Sequence, residues 1–430
     1  MQKKVYPQMQ NYGHYLLELK NLLYKDPITN SQTITEALNG QAYSALRSLV
    51  PLSTLRSSGA FFTGHEIAEQ LADLAKEEIQ LGSPFIDPTC GAGNLLVAAA
   101  KHLPLGNSLP STLSLWSEII HGIDIHPEFI EVTKLRLILL AKQRGNFVSH
   151  HPAIDTIFQN IRCTDALSAR AFPSIVLINP PYHGMEAPDS CKWSKGLVSS
   201  AAVFLDHVVQ NTPPSGHIYA LLPEVLRCGS RYQSFREVLG KRVLIVSEKT
   251  LGIFDRWTDI DVFSTELQVL GNSSHTEALP AFFQMVKAVE TVEDRYRIHV
   301  GPLVDYRSPE TGLENPYVEA VQATPWDRNF ICTATRKFDG TVFRPPFVVI
   351  RRTSRPGDKF RAIGTVIRGD APVAVENHLL VALPKRGTVK ECIELMKILR
   401  QQGTNDFLNA TMRCRHLTVG AVKNIPWIMS

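Results

Sequence analysis

Phe85-Ile86-Asp87-Pro88-Thr89-Cys90-Gly91-Ala92-Gly93-Asn94 reads as a short buried strand entering a glycine turn, with a helix following through Leu95–His102. Gly91 and Gly93 let the backbone approach a ligand closely at the helix N-terminus. The turn opens with an acid, Asp87, and lacks the third glycine of a dinucleotide fingerprint. A carboxylate there repels a pyrophosphate and attracts an ammonium. The ligand that suits this turn therefore carries a positively charged amino acid moiety rather than a phosphate.

The text on both sides extends the alternation of strand and helix. A loop with Pro104, Gly106 and Pro110 leads to a strand at His121–Ile125 and a long helix at 127–144. Further strands are expected at 157–163, 174–178, 217–222 and 242–247, and helices at 201–211 and 231–239. A last strand at 260–270 suits an antiparallel sheet edge. This is the pattern of an α/β domain with a mainly parallel sheet. Residues 1–58 read as helix, with Tyr15, Leu16, Leu19, Leu22 and Leu23 at helical spacing and a second candidate over Thr33–Leu49. Gly59-Ala60-Phe61-Phe62-Thr63-Gly64 breaks that pattern, and Thr63 with Glu66 makes a capping box for a helix at 65–78. After about Gly271 the character changes: 343–384 is β-rich, and a helix at 388–402 precedes His416-Leu417-Thr418-Val419-Gly420. The expected domains are thus 1–58, 59–275 and 276–430.

Polar residues stand at successive strand ends, where open α/β sheets bind ligands. Asp124 ends the second strand and can accept from both hydroxyls of a ribose, or cap the helix that begins near Pro127. Asp165, before Ala166, follows the third strand and can accept from an adenine amine, or cap a turn. The fourth strand, Ile175-Val176-Leu177-Ile178, ends in Asn179-Pro180-Pro181-Tyr182. The Asn179 amide oxygen is a neutral acceptor. The two prolines fix φ near −65° and hold the residue before each extended, so a carbonyl sits at a set position beside the amide. Tyr182 adds a flat face for stacking. Together they form a clamp for a planar group bearing an NH₂.

Bulk properties narrow the class. At 430 residues, 44% hydrophobic and 20% charged, the chain suits a soluble globular protein of two or three domains. No apolar run is long enough for a membrane span, and Met1-Gln2-Lys3-Lys4 does not open a signal peptide. Seven cysteines without a C-x-x-C pair point to free thiols, not disulfides or a zinc site, and no metal is expected. The net charge of +4 is uneven: residues 331–430 hold 17 Lys and Arg against 7 Asp and Glu, leaving the rest at −6. A basic C-terminal segment on a mildly acidic body suits a polyanion partner.

In order and spacing, these motifs resemble S-adenosylmethionine-dependent N6-adenine DNA methyltransferases of the gamma arrangement, over roughly residues 59–270. Phe61-Phe62-Thr63 resembles the element before the cofactor loop, although Gly64 stands where the family usually has proline. Residues 103–117 are additional to the usual spacing. The resemblance implies a Rossmann-like class I methyltransferase domain with an N-terminal helical extension and a C-terminal β-rich target-recognition domain. It implies cofactor binding by Phe61, Phe62, Thr63, Asp87, Pro88, Gly91, Gly93, Asp124, Ile125, Asp165 and Ala166, and catalysis by Asn179, Pro180, Pro181 and Tyr182. Phe254, or else Trp257, would join Tyr182 in stacking on a flipped base. Arg344, Arg351, Arg352, Arg355, Arg361, Arg368, Arg413 and Arg415 would contact double-stranded DNA. A cytoplasmic bacterial or archaeal restriction-modification enzyme, with any nuclease on a separate protein, is the implied setting. The competing readings are a methyltransferase acting on RNA guanine or protein glutamine, and a non-catalytic DNA-binding specificity component.

Overall fold

The computed structural model describes residues 12–51, 63–147, 156–254, 260–271, 290–305, 308–355, 357–412 and 416–428. They fall into two compact units: the first draws on 1–223, 234–251 and 262–280, the second on 224–233, 252–261 and 281–430.

The first unit opens with helices α1 (Gly13–Leu23), α2 (Ser31–Leu38) and α3 (Gln41–Leu49), so the expected second helix is broken at Asn39-Gly40. Helices α4 (His65–Leu74) and α5 (Lys76–Gln80) follow. The α/β part runs β1 (Phe85–Asp87), α6 (Asn94–Ala100), α7 (Leu109–Ile119), β2 (Ile120–Asp124), α8 (Pro127–Gly145), β3 (Ile161–Cys163) and β4 (Ile175–Ile178). A small hairpin of β5 (Gly184–Glu186) and β6 (Leu197–Ser199) leads to α9 (Ser200–Asn211), β7 (His217–Pro223), α10 (Gln233–Gly240), β8 (Val243–Ile253) and β9 (Asp261–Val269).

Seven strands form one sheet in the order β3-β2-β1-β4-β7-β9-β8. Pairing is parallel from β3 through to β7, and β9 runs antiparallel to β7. The chain builds outward from β1 to β3, then crosses to the other side of β1 for β4. That reversal leaves a crevice at the carboxyl ends of β1 and β4. β4 is buried along its whole length, as a strand covered on both faces must be.

The interval from 103 to 117 is not simply extra loop. Ser108 caps α7 through a reciprocal capping box with Ser111, and Pro110 sits in the first turn, where its missing N–H costs nothing. Thr63 does not cap α4 either. Gly64 holds the N-cap position without a side-chain bond, and Thr63 is spent elsewhere.

α8 fixes the N-terminal helices to the sheet. Arg136, 1% exposed, donates Nε to the Ala37 carbonyl at 3.0 Å and Nη2 to the Leu38 carbonyl at 2.7 Å. Its Nη1 reaches the Ala92 carbonyl at 2.5 Å and Asn94 Oδ1 at 2.6 Å. One turn and a half later, Lys142 Nζ donates to the Leu23 carbonyl at 2.6 Å. Both cations thus cap helix C-termini, of α2 and α1, whose last carbonyls lack partners and carry negative potential.

In the second unit, five strands are ordered Tyr296–Val300, Leu379–Pro384, Phe347–Arg351, Gly364–Arg368 and Phe330–Ile331. Alternation sorts their side chains. Ile298, Val348, Ile350, Val366, Leu380 and Ala382 pack with Cys392, Leu395, Met396 and Leu399 of the helix Val389–Leu399. Phe347, Val349, Ile367, Leu379 and Val381 face the opposite core with Val318, Phe343 and Val373.

Replacing Arg136 with Met keeps the apolar stem but strands four acceptors out of water. We expect a loss of about 3 kcal/mol or more in the unfolding free energy of the first unit. A urea titration followed by far-ultraviolet circular dichroism measures it.

Candidate active site

Register brings the polar strand ends together. Asp87 pairs with Gly122 on β2, and Asp124 pairs with Cys163 on β3, so the acids sit at one edge of the sheet. β4 adds Asn179 beside them. A narrow cleft opens here, lined by Thr63, Asp87, Thr89, Cys90, Gly91, Asn94, Leu95 and Asn179.

The turn after β1 is held from α8. Thr133 Oγ1 donates to the Gly91 carbonyl at 2.9 Å. Gly93 has φ +81°, and a Cβ there would lie 2.7 Å from Thr133 Cγ2, so only glycine fits this approach. The Gly91 amide donates to Asp124 Oδ2 at 3.0 Å. Asp124 Oδ1 accepts from the His126 amide at 2.8 Å and lies 3.0 Å from His126 Nδ1. Asp124 therefore ties the turn to the start of α8, and Oδ2, which accepts from one donor, keeps lone-pair capacity for another.

Asp87 is 2% exposed and accepts from the Thr89 amide at 2.9 Å. Burial pushes its carboxyl up to about 8, and the nearby Asp124 charge adds to the rise, although the Thr89 bond opposes it. A cationic group in the cleft would favour the ionised form.

Asn179 is wired to both sides of the cleft. Its Nδ2 donates to Thr63 Oγ1 at 2.8 Å, and its Oδ1 accepts from the Tyr182 hydroxyl at 2.6 Å. Its carbonyl accepts from Thr89 Oγ1 at 3.2 Å, which links it to the turn that carries Asp87. Burial raises the Tyr182 phenol well above its usual range, so it stays protonated and able to donate. Ser200 Oγ, at the start of α9, bonds the Pro181 carbonyl and, at 3.0 Å, that of His183. Pro180 is buried and Pro181 partly so.

Of the other sequence-predicted residues, Pro88 is buried behind the turn, while Ile125 is 56% exposed beside Asp124. Asp165 is exposed, and its Oδ1 caps the short turn beginning at Ala166 by accepting from the Leu167 amide at 3.0 Å. Phe61 and Phe62 lie outside the described residues, as do Trp257, Arg413 and Arg415. Phe254 is buried in the second unit, with its amide on the Ile260 carbonyl at 2.8 Å; it is not in the unit that holds Tyr182.

The arginines of the second unit divide by exposure. Arg344 and Arg355 are exposed. Arg351, Arg352 and Arg368 are half-buried, and the first two donate to the Ala323 and Asn377 carbonyls at 2.9 and 2.7 Å. Arg361 corrects the sequence reading. It is 0% exposed, and its guanidinium is taken by Ser354 Oγ, Asn409 Oδ1 and the Met412 carbonyl, which leaves it out of reach of a phosphate. Sequence reasoning missed Thr89, Asn94, Thr133 and Arg136. The first two lie in or next to the quoted turn and could have been flagged there. The others gave no local signal.

Residues 36–246 match the family described as N-6 DNA Methylase. Among solved structures, the chain is similar to the type IIL restriction-modification enzyme MmeI in complex with DNA. Identity is 12% over 90% of this chain and 70% of that one, with a TM-score of 0.58. It is also similar to the structure of a DrdV-DNA complex, at 10% identity over 90% of this chain and 58% of that one, with a TM-score of 0.50. A type I restriction-modification methyltransferase subunit from Streptococcus thermophilus matches at 19% identity over 49% of this chain and 45% of that one, with a TM-score of 0.37. At these identities the first two comparisons establish a shared fold. No curated protein sequence matches the chain.

The raised Asp87 carboxyl has a measurable consequence. A group that holds its proton up to about 8 when folded, but releases it near 4 when unfolded, favours the folded state at low pH. Stability of the ligand-free protein should fall as pH rises from about 4 to 8, by up to about 1.4 kcal/mol per pH unit. Asp87→Asn should flatten that slope, as read from urea midpoints at pH 5, 6.5 and 8.

Proposed function

We propose that this protein methylates the N6 amine of an adenine turned out of duplex DNA, at a specific site, with S-adenosylmethionine as donor, a reading supported by the match of residues 36–246 to the N-6 DNA methylase family. The first unit has the Rossmann-like fold of class I methyltransferases. The observation that carries the reading is the cleft itself, which both the buried Asp87 carboxyl and Asn179 line, with Thr89 joining that carboxyl to the Asn179 main-chain carbonyl.

The fit to the donor rests on the chemistry of those groups. Asp87 suits the ammonium of the methionine moiety, the glycine backbone of 91–93 leaves room for close approach, and Asp124 retains acceptor capacity for a ribose. When bound, S-adenosylmethionine supplies an electrophilic methyl on a sulfonium. The chain's own part is to prepare the amine. Adenine N6 is a weak nucleophile because its lone pair is delocalised into the ring. With one proton accepted by Asn179 Oδ1 and the other by the Pro180 carbonyl, nitrogen moves toward sp³ and the lone pair localises. The amine then loses a proton after transfer, so no strong base is required. Positioning and fixed acceptors supply the acceleration. Turning the base out costs roughly a few kcal/mol, which stacking on the Tyr182 ring offsets in part.

Target recognition falls to the second unit, where Arg344 and Arg355 present exposed guanidiniums and Arg351, Arg352 and Arg368 partly exposed ones. We place the activity in a restriction-modification system whose nuclease is carried separately.

Asn179→Ala should abolish methyl transfer while leaving S-adenosylmethionine affinity within about twofold; near-normal methylation by this variant would sink the mechanism. Asp124→Ala should weaken binding of the donor in calorimetry. Single-molecule sequencing of DNA from expressing cells should reveal N6-methyladenine in one motif, and a tritium-transfer assay on RNA and protein should give none. Arg344→Ala should lower the slope of log affinity against log salt by about 0.9 if that side chain neutralises one phosphate.

A further inference from the structure

An asparagine amide has two ends of nearly equal shape and opposite chemistry. With Oδ1 toward an amine it accepts a proton; turned by 180°, it presents a second pair of N–H donors and repels it. The catalytic competence proposed for Asn179 therefore depends on what sets this orientation.

For the neighbouring amide the answer is unambiguous. Arg136 has only donors, so Asn94 must turn Oδ1 to it, at 2.6 Å, and Nδ2 is left to meet the Thr63 carbonyl, at 2.5 Å. This pins the Thr63 backbone. Asn179, by contrast, sits between two hydroxyls, each able to donate or accept. In one proton arrangement its Nδ2 donates to Thr63 Oγ1 at 2.8 Å and the Tyr182 hydroxyl donates to its Oδ1 at 2.6 Å. In the other, the Thr63 hydroxyl donates to Asn179, the amide donates to Tyr182, and the Tyr182 proton goes to the Leu221 carbonyl, 3.2 Å away. The heavy atoms serve both. The difference lies in the Thr63 proton: it is consumed in the second arrangement and freed toward other acceptors in the first. Thr63 is 4% exposed and lines the cleft.

We propose that Thr63 is a positioning residue that couples ligand binding to the orientation of the Asn179 amide. A hydrogen-bond acceptor on the cleft ligand takes the Thr63 proton, Thr63 Oγ1 must then accept from Asn179 Nδ2, and Oδ1 is presented to the substrate amine. Donation from Nδ2 also polarises the amide and strengthens Oδ1 as an acceptor. This rests on the methyl-transfer reading above, in which the acceptor is the carboxylate of the donor's methionine moiety.

The test uses the full chain labelled with ¹⁵N-asparagine, with the Asn179 side-chain resonances identified by their loss in Asn179→Ala. Adding S-adenosylhomocysteine to the wild type should shift those resonances, and adding it to Thr63→Val at saturation should not. Single-turnover methylation by Thr63→Val at saturating S-adenosylmethionine should fall about tenfold or more, while Thr63→Ser, which keeps the hydroxyl, should recover to within about threefold of wild type. Unmoved Asn179 resonances in the liganded wild type overturn the coupling without recourse to any variant. A Thr63→Val enzyme that binds the donor more weakly but turns over at the wild-type rate when saturated also overturns it, since Thr63 would then be a ligand contact alone. Methylation that survives Asn179→Ala is a different result, and refutes the underlying chemistry.

Discussion

Arg136 carries a permanent charge into a position with almost no water, and it is stable there because four acceptors converge on it. Burial lowers its pKa, yet a guanidinium starts so high that it remains charged. Its partners come from two places far apart in sequence: the C-terminus of α2, and the glycine turn with the first residue of α6. An N-terminal helical region that could have been a separate appendage is thereby built into the wall of the cleft. Removing the charge would free the end of α2 and the turn together, so the helical extension is part of what shapes the site.

From that point, order spreads by hydrogen bonds of known direction. Arg136 orients Asn94, Asn94 holds Thr63, and Thr63 meets Asn179. On the other side, Thr133 grips Gly91, and Asp124 holds the Gly91 amide. The methyl transfer proposed for this cleft relies on two fixed acceptors rather than on a strong base, and would need this kind of support. Acceptors that wandered by half an ångström would lose the alignment that makes a weak nucleophile attack.

Much of this was legible in the chain. Buried apolar runs ended by Asp87, Asp124 and Asn179 located three strand tips, because a strand covered on both faces has few places for polar residues other than its end. The glycine turn and the two prolines declared their backbone conformations locally. The misreadings share a cause: the deciding partner was distant. Pro110 looked like loop until Ser108 and Ser111 closed a cap around the first turn of α7. Arg361 looked like one more DNA-facing cation in a basic segment, and only the fold brings Ser354, Asn409 and Met412 around it. A cation that reads phosphate and a cation that ties up carbonyls are identical in sequence; exposure distinguishes them, and exposure is a property of the whole fold.

The energetics of Asp87 bear on which ligands the cleft can take. With the carboxyl pushed up to about 8, ionising it at pH 7 costs about 1.4 kcal/mol. An ammonium at 4 Å, at an effective dielectric of 20, would return about 4 kcal/mol, from which its own desolvation is subtracted, so a cationic amino acid end is the kind of ligand group that can offset the ionisation of Asp87. A phosphate gains nothing from the neutral acid beyond one hydrogen bond and is repelled by the ionised one. The same open α/β crevice that cradles pyrophosphates elsewhere is thus turned against them by one carboxyl at the strand tip. The burial that makes Asp87 costly in the free protein also makes it selective, because a solvated carboxylate would pair weakly with any cation. Thr89, two residues on, donates its amide to the Asp87 carboxyl and its hydroxyl to the Asn179 carbonyl, so one residue couples the strand tips of β1 and β4.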